Sequence, residues 1–442
     1  MQYSYKQIWL IVYPILISLL MEHLIGMTDT AFLGRVDEIS LGASALGSVY
    51  YLAIFMLGFG FSIGAQIIIG RRNGEKNHKE IGDIFLQGTF FLTILAAVIF
   101  VLSKSFSPTV LRVLIESDQI YGATLNYMNW RAYGFFFAFA DAMFRSFFVG
   151  TTNTRILTSN SIVMVVSNIL FNYILIFGKL GFPALGIEGA AIGSSAAELV
   201  SLIFFIVYTW CRVDKKKYGM FHLTRFRPKL LLHILNISVW TMLQMFVSVT
   251  TWFFFFVAVE HLGERQLAIS NIVRSISSLL FLTTAAFAST TSSLVSNLMG
   301  AGEQRQVMAL CRKMIKMSYL FVLPMIVLIG IFPSFVLRIY TDNLSLIADS
   351  IPAMLVLLSA YLLLNIPSNI LFNTVSGTGN TRSALVMELA TLAIYVLYTV
   401  YIVFYLKVDV AVAWTTEHVY AVVMIVFSYI YLKKARWQDK KI

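Results

Sequence analysis

Long apolar stretches recur along the whole chain, and each is long enough to cross a lipid bilayer. About 20 consecutive apolar residues suffice for a transmembrane helix. The 442 residues are 58% hydrophobic and only 12% charged, with a mean hydropathy of +0.79. Soluble domains are closer to one quarter charged. The sequence therefore predicts an all-α integral membrane protein with many spans.

Twelve transmembrane helices are predicted. An even number places both termini on one side, and the excess of Lys and Arg in the loops of that side makes it cytoplasmic. No cleavable signal peptide is expected, because the first span is too long and contains acids. The spans are approximately 8–34, 40–70, 80–103, 121–149, 155–177, 187–211, 231–259, 266–298, 312–332, 347–376, 382–406 and 410–432.

The two halves of the chain repeat each other. VLRV at 110–113 recurs as VLRI at 336–339, and GTTNTR at 150–155 recurs as GTGNTR at 377–382. These matches share a shift of about 226 residues, which indicates a duplication. In the GTTNTR and GTGNTR loops, the glycine is expected to end one helix, and Asn and Thr are expected to cap the next.

The duplication predicts two pseudo-symmetric six-helix bundles, at 1–211 and 230–442, joined by a basic cytoplasmic linker at 212–229. A shift of six spans makes the halves parallel, as in alternating-access transporters with substrate between the halves. The net charge of +11 does not indicate nucleic-acid binding, because its largest basic cluster lies in this linker. The two cysteines, Cys211 and Cys311, are expected to be free thiols.

Acidic residues interrupt the first apolar span. Glu22, His23 and Asp29 lie well inside it, although a charged side chain at the bilayer centre costs about 2.5–3.5 kcal/mol on insertion scales. Glu22 and Asp29 are two helical turns apart and share one face, whereas His23 points elsewhere. This pattern favours an ion-coupling site. The alternative is that these groups pair with another helix or reach the interface.

Other polar residues inside spans have both structural and functional interpretations. Asp141 and Arg145 are four residues apart, which favours a local ion pair over a role in gating. Glu198 lies one turn beyond Ser194 and either faces the same lumen or packs elsewhere. In the carboxy-terminal half, Glu388 and Arg274 are the remaining deep charges and are expected to pair across helices.

Candidates for a substrate cavity come from the carboxy-terminal half. Three asparagines at four-residue spacing form an uncharged polar stripe, and the aromatic residues nearby suit planar cations. Lipid-facing positions are the alternative for the aromatic residues. The candidates are Trp240, Gln244, Trp252, Asn365, Asn369 and Asn373.

Several motifs together resemble the multidrug and toxin extrusion (MATE) transporters, of bacterial type. They are MTDTAFLGR at the end of the first span, the RRNGE and LMGAGE turns, GIEGAAIGS, and the paired loops with the pattern GxxNTR. The resemblance covers nearly the whole chain. It implies an antiporter that exports organic, cationic or amphipathic compounds, driven by inward flow of H+ or Na+.

The resemblance also implies a cation site in the amino-terminal half. That family typically uses an acid in the first span, an Asn-x-x-x-Asp pair in the fifth and a hydroxyl in the sixth. Asp29, Asn168 and Ser194 match, but Asn172 stands at the second acid position. A single carboxylate with amide and hydroxyl oxygens favours H+ over Na+. We hypothesise that Glu22 replaces the missing acid, since two buried carboxylates can hold one proton between them near neutral pH.

Other functions fit the residues less well. A flippase of lipid-linked precursors is the alternative within transport, but this lumen is acidic and rich in amides. An intramembrane enzyme is not favoured, because no catalytic pair, metal-ligand spacing or phosphate-binding loop stands out. No cofactor is expected beyond the coupling ion. The expected partners are small drug-like molecules and membrane lipids, for a monomer in the bacterial inner membrane.

Overall fold

Helices form nearly all of the secondary structure. The computed structural model describes residues 3–220 and 226–440, without the side chain of residue 114, and contains no strand in those ranges. The helices are α1 Tyr5–Leu33, α2 Glu38–Gly74, α3 His78–Leu114, α4 Asp118–Arg131, α5 Gly134–Gly150, α6 Arg155–Phe177, α7 Gly186–Arg212, α8 Lys215–Tyr218, α9 Pro228–Glu260, α10 Glu264–Gly300, α11 Val307–Ile331, α12 Pro333–Leu337, α13 Leu344–Ala360, α14 Ile366–Gly377, α15 Thr381–Val400, α16 Val410–Ala413 and α17 Thr416–Lys434.

Eleven helical segments within the described ranges are long and apolar enough to cross a membrane, and a bent pair raises the count to twelve. The all-helical fold with twelve spans is thus confirmed. The predicted span 121–149 is the bent one, because α4 and α5 meet at an angle of 51°. The predicted spans 347–376 and 382–406 each contain a π-helical turn, at Tyr361–Asn365 and Tyr401–Tyr405. Such turns are frequent at functional sites.

The chain forms two compact units, Tyr13–Phe246 and Met1–Val12 with Val247–Ile442. The division therefore lies within α1 and α9 and not at the predicted linker 212–229. The start of α1 belongs to the second unit because Trp9 stacks on Phe321 of α11, with ring centroids 4.2 Å apart. Part of the linker forms the short helix α8, whereas 221–225 lie outside the described residues.

Equivalent glycines of the two repeated loops occupy equivalent packing positions. A side chain on Gly150 would meet the backbone oxygen of Gln66 and the side chain of Ile69 on α2. A side chain on Gly377 would meet the backbone of Ser292 on α10. Gln66 and Ser292 are separated by the same shift of about 226 residues as the loops themselves. The duplication is therefore visible in the contacts as well as in the sequence.

The asparagines of these loops do not cap the next helix, contrary to expectation. Asn153 and Asn380 donate instead to the hydroxyl oxygens of Thr151 and Thr378, at 3.5 and 3.0 Å. The residues at the starts of α6 and α15 make no side-chain capping hydrogen bond. Each loop is closed by its own polar side chains, because its threonine lies two residues before its asparagine.

Two glycines bring α6 and α7 unusually close together. A side chain on Gly189 would lie 2.6 Å from the backbone of Leu175, and one on Gly193 would lie 2.3 Å from Asn172 Oδ1. Small residues four apart allow such approach between membrane helices. This packing places Ser194, the residue after Gly193, beside the asparagines of α6.

Candidate functional site

Four predicted coupling residues form one hydrogen-bonded cluster in the Tyr13–Phe246 unit. Asp29 Oδ1 accepts from Asn172 Nδ2 at 2.5 Å, and Asp29 Oδ2 accepts from Ser194 Oγ at 3.0 Å. Asn168 Nδ2 donates to Ser194 Oγ at 3.1 Å, and Asn172 Nδ2 also donates to Asn168 Oδ1 at 3.2 Å. The structure thus joins α1, α6 and α7 through one carboxylate.

The direct hydrogen-bond partners of this carboxylate are polar but uncharged. Asn168 and Asn172 are fully buried and Ser194 nearly so, whereas Asp29 remains partly exposed. Asn172 Oδ1 is buried and accepts no hydrogen bond from the described residues. Two neutral donors hold the carboxylate, which is only partly buried. The arrangement can exchange these hydrogen bonds for a proton or a small cation.

A buried ion pair, which the sequence analysis did not anticipate, lies near this cluster. Arg131 Nη2 and Nη1 donate to Glu198 Oε1 and Oε2 at 2.5 and 2.8 Å. Tyr51 donates to the same carboxylate at 3.3 Å, and its ring lies 3.7 Å from the guanidinium carbon. The charge of Arg131 also acts on Asp29. Of the two alternatives for Glu198, the structure shows packing against Arg131, in an ion pair one helical turn from Ser194.

One feature of the sequence indicates that Glu198 needs a basic partner from another helix. Glu198 stands in a run of small and apolar residues on α7 that offers no local cation, and a buried acid needs a partner. Arg131 ends α4 at the bend, and a side chain on Gly134 would lie 2.2 Å from Arg131 Nη1. The glycine at the start of α5 leaves the space that the ion pair fills.

Glu22 does not join the Asp29 cluster, contrary to the hypothesis that it replaces the missing acid. Its Oε1 accepts from Arg145 Nη1 at 3.0 Å and from Ser18 Oγ at 3.2 Å. The Glu22 side chain is 47% exposed. The expected ion pair between Asp141 and Arg145 is also wrong, because Arg145 turns towards α1 and pairs with Glu22.

The six predicted cavity residues are divided between the two units. Trp240 and Gln244 belong to the Tyr13–Phe246 unit and the other four to the second unit. Gln244 is buried, and Trp252 is 40% exposed and packs edge-on against Phe256. A shared substrate cavity therefore stays a prediction.

The asparagine stripe turns its amides towards its own helix. Asn369 Nδ2 donates to the backbone oxygen of Asn365 at 2.9 Å, and Asn373 Nδ2 donates to that of Asn369 at 3.0 Å. Asn365 ends the π-helical turn and lies beside Glu417 of α17. Glu417 is not among the predicted site residues, although it stands inside the last predicted span as Asp29 stands inside the first.

Glu388 and Arg274 do not pair, contrary to expectation. Glu388 Oε1 accepts from Ser248 Oγ at 2.6 Å, and its two oxygens accept from the Tyr420 hydroxyl at 3.1 and 3.0 Å. Arg274 lies over the ring of Phe256 at 5.1 Å. Hydroxyl groups thus take the place of the expected cation beside Glu388.

The described residues contain no group of three or more side chains suited to hold a metal ion. Both cysteines are free, with Cys211 exposed and Cys311 buried. The two cysteines therefore fit the prediction of free thiols.

Comparison with known proteins gives one consistent result. The sequence profile described as MatE matches residues 14–174 and 241–402, one segment in each half. A probable multidrug resistance protein NorM of Idiomarina loihiensis is 25% identical over 67% of this chain and 64% of its own length. A probable NorM of Synechocystis is 26% identical over 72% of this chain and 69% of its own length.

The fold has a solved counterpart along its full length. A structure described as the outward-facing conformation of a multidrug resistance MATE family transporter of the MOP superfamily superposes with a TM-score of 0.87. It covers 100% of both chains at 18% identity. At that identity the likeness concerns the fold alone.

Proposed function

Because this chain belongs to the MatE family of membrane transporters, we propose that it is a secondary antiporter which exports organic compounds in exchange for H+. The exported compounds are cationic or amphipathic. The protein acts as a monomer in the bacterial inner membrane, with both termini in the cytoplasm. The observation that carries the proposal is the Asp29 cluster, where one partly exposed carboxylate is held only by neutral donors.

The cluster suggests how a cation is coupled to a conformational change. A proton on Asp29 competes with the hydrogen bonds from Asn172 and Ser194, which bind the carboxylate form. Loss of these bonds weakens the attachment of α1 to α6 and α7. A ligand shifts an equilibrium only if its affinities for the two states differ. Proton binding therefore favours the state in which α1 is released from α6 and α7. Organic compound and proton then exclude each other through one coupling free energy.

The choice of H+ over Na+ rests on Asn172. The amide donates to Asp29 and so replaces a charge that would attract Na+. Na+ prefers several oxygen ligands with carboxylates among them, whereas a proton needs one acceptor. The membrane potential adds about 2.3 kcal/mol per charge per 100 mV to inward proton movement.

A counter-ion assay in proteoliposomes tests the proposal. Efflux of ethidium, a planar organic cation, is followed with an imposed pH gradient, a Na+ gradient or neither. We expect the pH gradient alone to drive efflux, and Asp29→Asn to abolish it. Asp349→Asn, which changes an exposed carboxylate on α13, serves as the control and keeps full efflux. Efflux that depends only on Na+, or that survives in Asp29→Asn, contradicts the proposal.

A further inference from the structure

A second group of buried oxygen atoms lies in the Tyr13–Phe246 unit, separate from the Asp29 cluster. Asp141 Oδ1 on α5 and Asn160 Oδ1 on α6 are both buried, and neither accepts a hydrogen bond within the described part of the chain. Asn160 Nδ2 donates to Ser201 Oγ on α7 at 2.8 Å, and Ser201 is also a hydrogen-bonding neighbour of Asp141. Asn160 is 5% exposed and Ser201 fully buried.

The arginines of α4 and α5 are occupied by other acids. Arg145, one turn along α5, pairs with Glu22, and Arg131 pairs with Glu198. The charges that act on Asp141 are those of Glu198 on α7 and Glu22 on α1. Both are negative. Within the described ranges no ion pair neutralises Asp141. A positive charge beside its carboxylate would therefore be favourable.

The remaining helices that pack against this region do not supply that charge. Tyr51 of α2 donates to Glu198. Lys104 of α3 donates to the backbone oxygen of Asn129 at 2.6 Å. On α6, Arg155 and Tyr173 are exposed near the ends of the helix. These four groups therefore have other partners or other surroundings.

We propose that Asp141, Asn160 and Ser201 form a second binding site for a monovalent coupling cation, either H+ or Na+. A buried carboxylate oxygen and a buried amide oxygen that accept no hydrogen bond are unfavourable in an apolar interior. A proton on the carboxyl group or a bound Na+ removes this cost. The Asn172 amide donates to the carboxylate of Asp29. The Asn160 amide donates to Ser201 instead, and its oxygen accepts no hydrogen bond from the described residues. Carboxylate, amide and hydroxyl oxygens here therefore offer hard ligands to Na+ as well as an acceptor for H+.

One face of α7 connects the second site to the first. Ser194, Glu198 and Ser201 are spaced by four and three residues, so they lie on the same side of the helix. Ser194 donates to Asp29, Glu198 pairs with Arg131 and Ser201 accepts from Asn160. The site therefore rests on the proposed antiport and deepens it, because the unit binds two cations and not one.

Infrared difference spectroscopy of the full-length purified protein tests the site. The C=O band of a protonated carboxyl group is followed while pH is changed without Na+, and then while Na+ is added at fixed pH. We expect Asp141→Asn to lose one titrating band that Asp29→Asn keeps, and the reverse for the Asp29 band. Asp349→Asn serves as the control for an exposed carboxylate on α13.

The two arms identify the cation. A band that responds to pH alone assigns a proton to Asp141, and a band that also responds to Na+ assigns a site shared by both ions. An unchanged spectrum for Asp141→Asn in both arms overturns the proposal. If that variant does not give a single species on size exclusion, Ser201→Ala carries the test, because it keeps the carboxyl group. If the Asp141 band of Ser201→Ala titrates at the same midpoint as in the parent protein, the proposed site is likewise overturned.

This readout is independent of transport. Cation binding is measured without an organic compound and without a gradient across a membrane. Failure of the antiport proposal in the ethidium assay therefore leaves the Asp141 band in place. Conversely, normal ethidium efflux by a protein whose Asp141 never titrates rejects only the second site.

Discussion

Asn172 on α6 donates a hydrogen bond of 2.5 Å from its Nδ2 to Asp29 Oδ1 on α1. An amide therefore stands where a second carboxylate would face the first. The same amide also donates to Asn168 Oδ1, so its orientation is fixed from two sides. Because of this contact, the cluster contains a single carboxylate among neutral side chains. It can therefore accept one positive charge.

Replacement of Asn172 by aspartate is expected to introduce Na+ dependence. In Asn172→Asp two carboxylates face each other without the donor that now joins them, and a shared cation relieves their repulsion. We expect Na+ affinity to rise at least about tenfold, which corresponds to about 1.4 kcal/mol. Efflux of ethidium driven by a Na+ gradient measures the change. Asn172→Ala removes the amide without adding charge and serves as the control. Equal Na+ response in both variants contradicts this prediction.

Removal of the Glu22 carboxylate is expected to leave coupling intact. Glu22 pairs with Arg145 at 3.0 Å, but its side chain is 47% exposed. Exposed ion pairs contribute only about 0–1 kcal/mol. Glu22→Gln should therefore lower stability slightly and keep proton-driven efflux, while Asp29→Asn loses it. The measurement is the initial rate of ethidium efflux under a pH gradient. If Glu22→Gln loses proton-driven efflux, this prediction is wrong and Glu22 belongs to the coupling site.

Loss of Arg131 is expected to destabilise the Tyr13–Phe246 unit strongly. Glu198 is 5% exposed, and its carboxylate would remain buried without a cation. Breaking a buried ion pair from one side costs about 3–5 kcal/mol, whereas replacing both partners by apolar residues is often neutral. We expect Arg131→Met to lower the thermal unfolding temperature of the purified protein. The double variant Arg131→Met with Glu198→Met should recover most of the loss. A single variant as stable as the parent would show that the pair is dispensable.

The sequence predicted the helices and the Asp29 cluster because both depend on local pattern. Apolar length fixes the spans, and the GIEGAAIGS motif places Ser194 next to the glycine that lets α6 approach. Asp29 could be recognised as an acid within an apolar span together with the motifs around it. These features need no knowledge of which helices are neighbours.

The errors concern contacts between distant helices. Arg145 was expected to pair with Asp141, four residues away, but it pairs with Glu22 on another helix. Glu198 has its partner 67 residues away in Arg131. Glu388 is satisfied by hydroxyls from α9 and α17 and not by Arg274. Helical spacing decides which side chains share a face, but the partner of that face is set by packing.

Close packing of α6 and α7 gives the last prediction. A side chain on Gly193 would lie 2.3 Å from Asn172 Oδ1, whereas one on Gly122 of α4 meets no atom of the described residues within 4 Å. Gly193→Ala therefore forces the two helices apart, or turns Asn172 away from Asp29, at a cost of about 1–3 kcal/mol for overpacking. We expect lower thermal stability together with loss of proton-driven ethidium efflux. Gly122→Ala, in a helix with free space, should be neutral or stabilising. If the two alanine variants behave alike, the packing of Gly193 does not position the cluster.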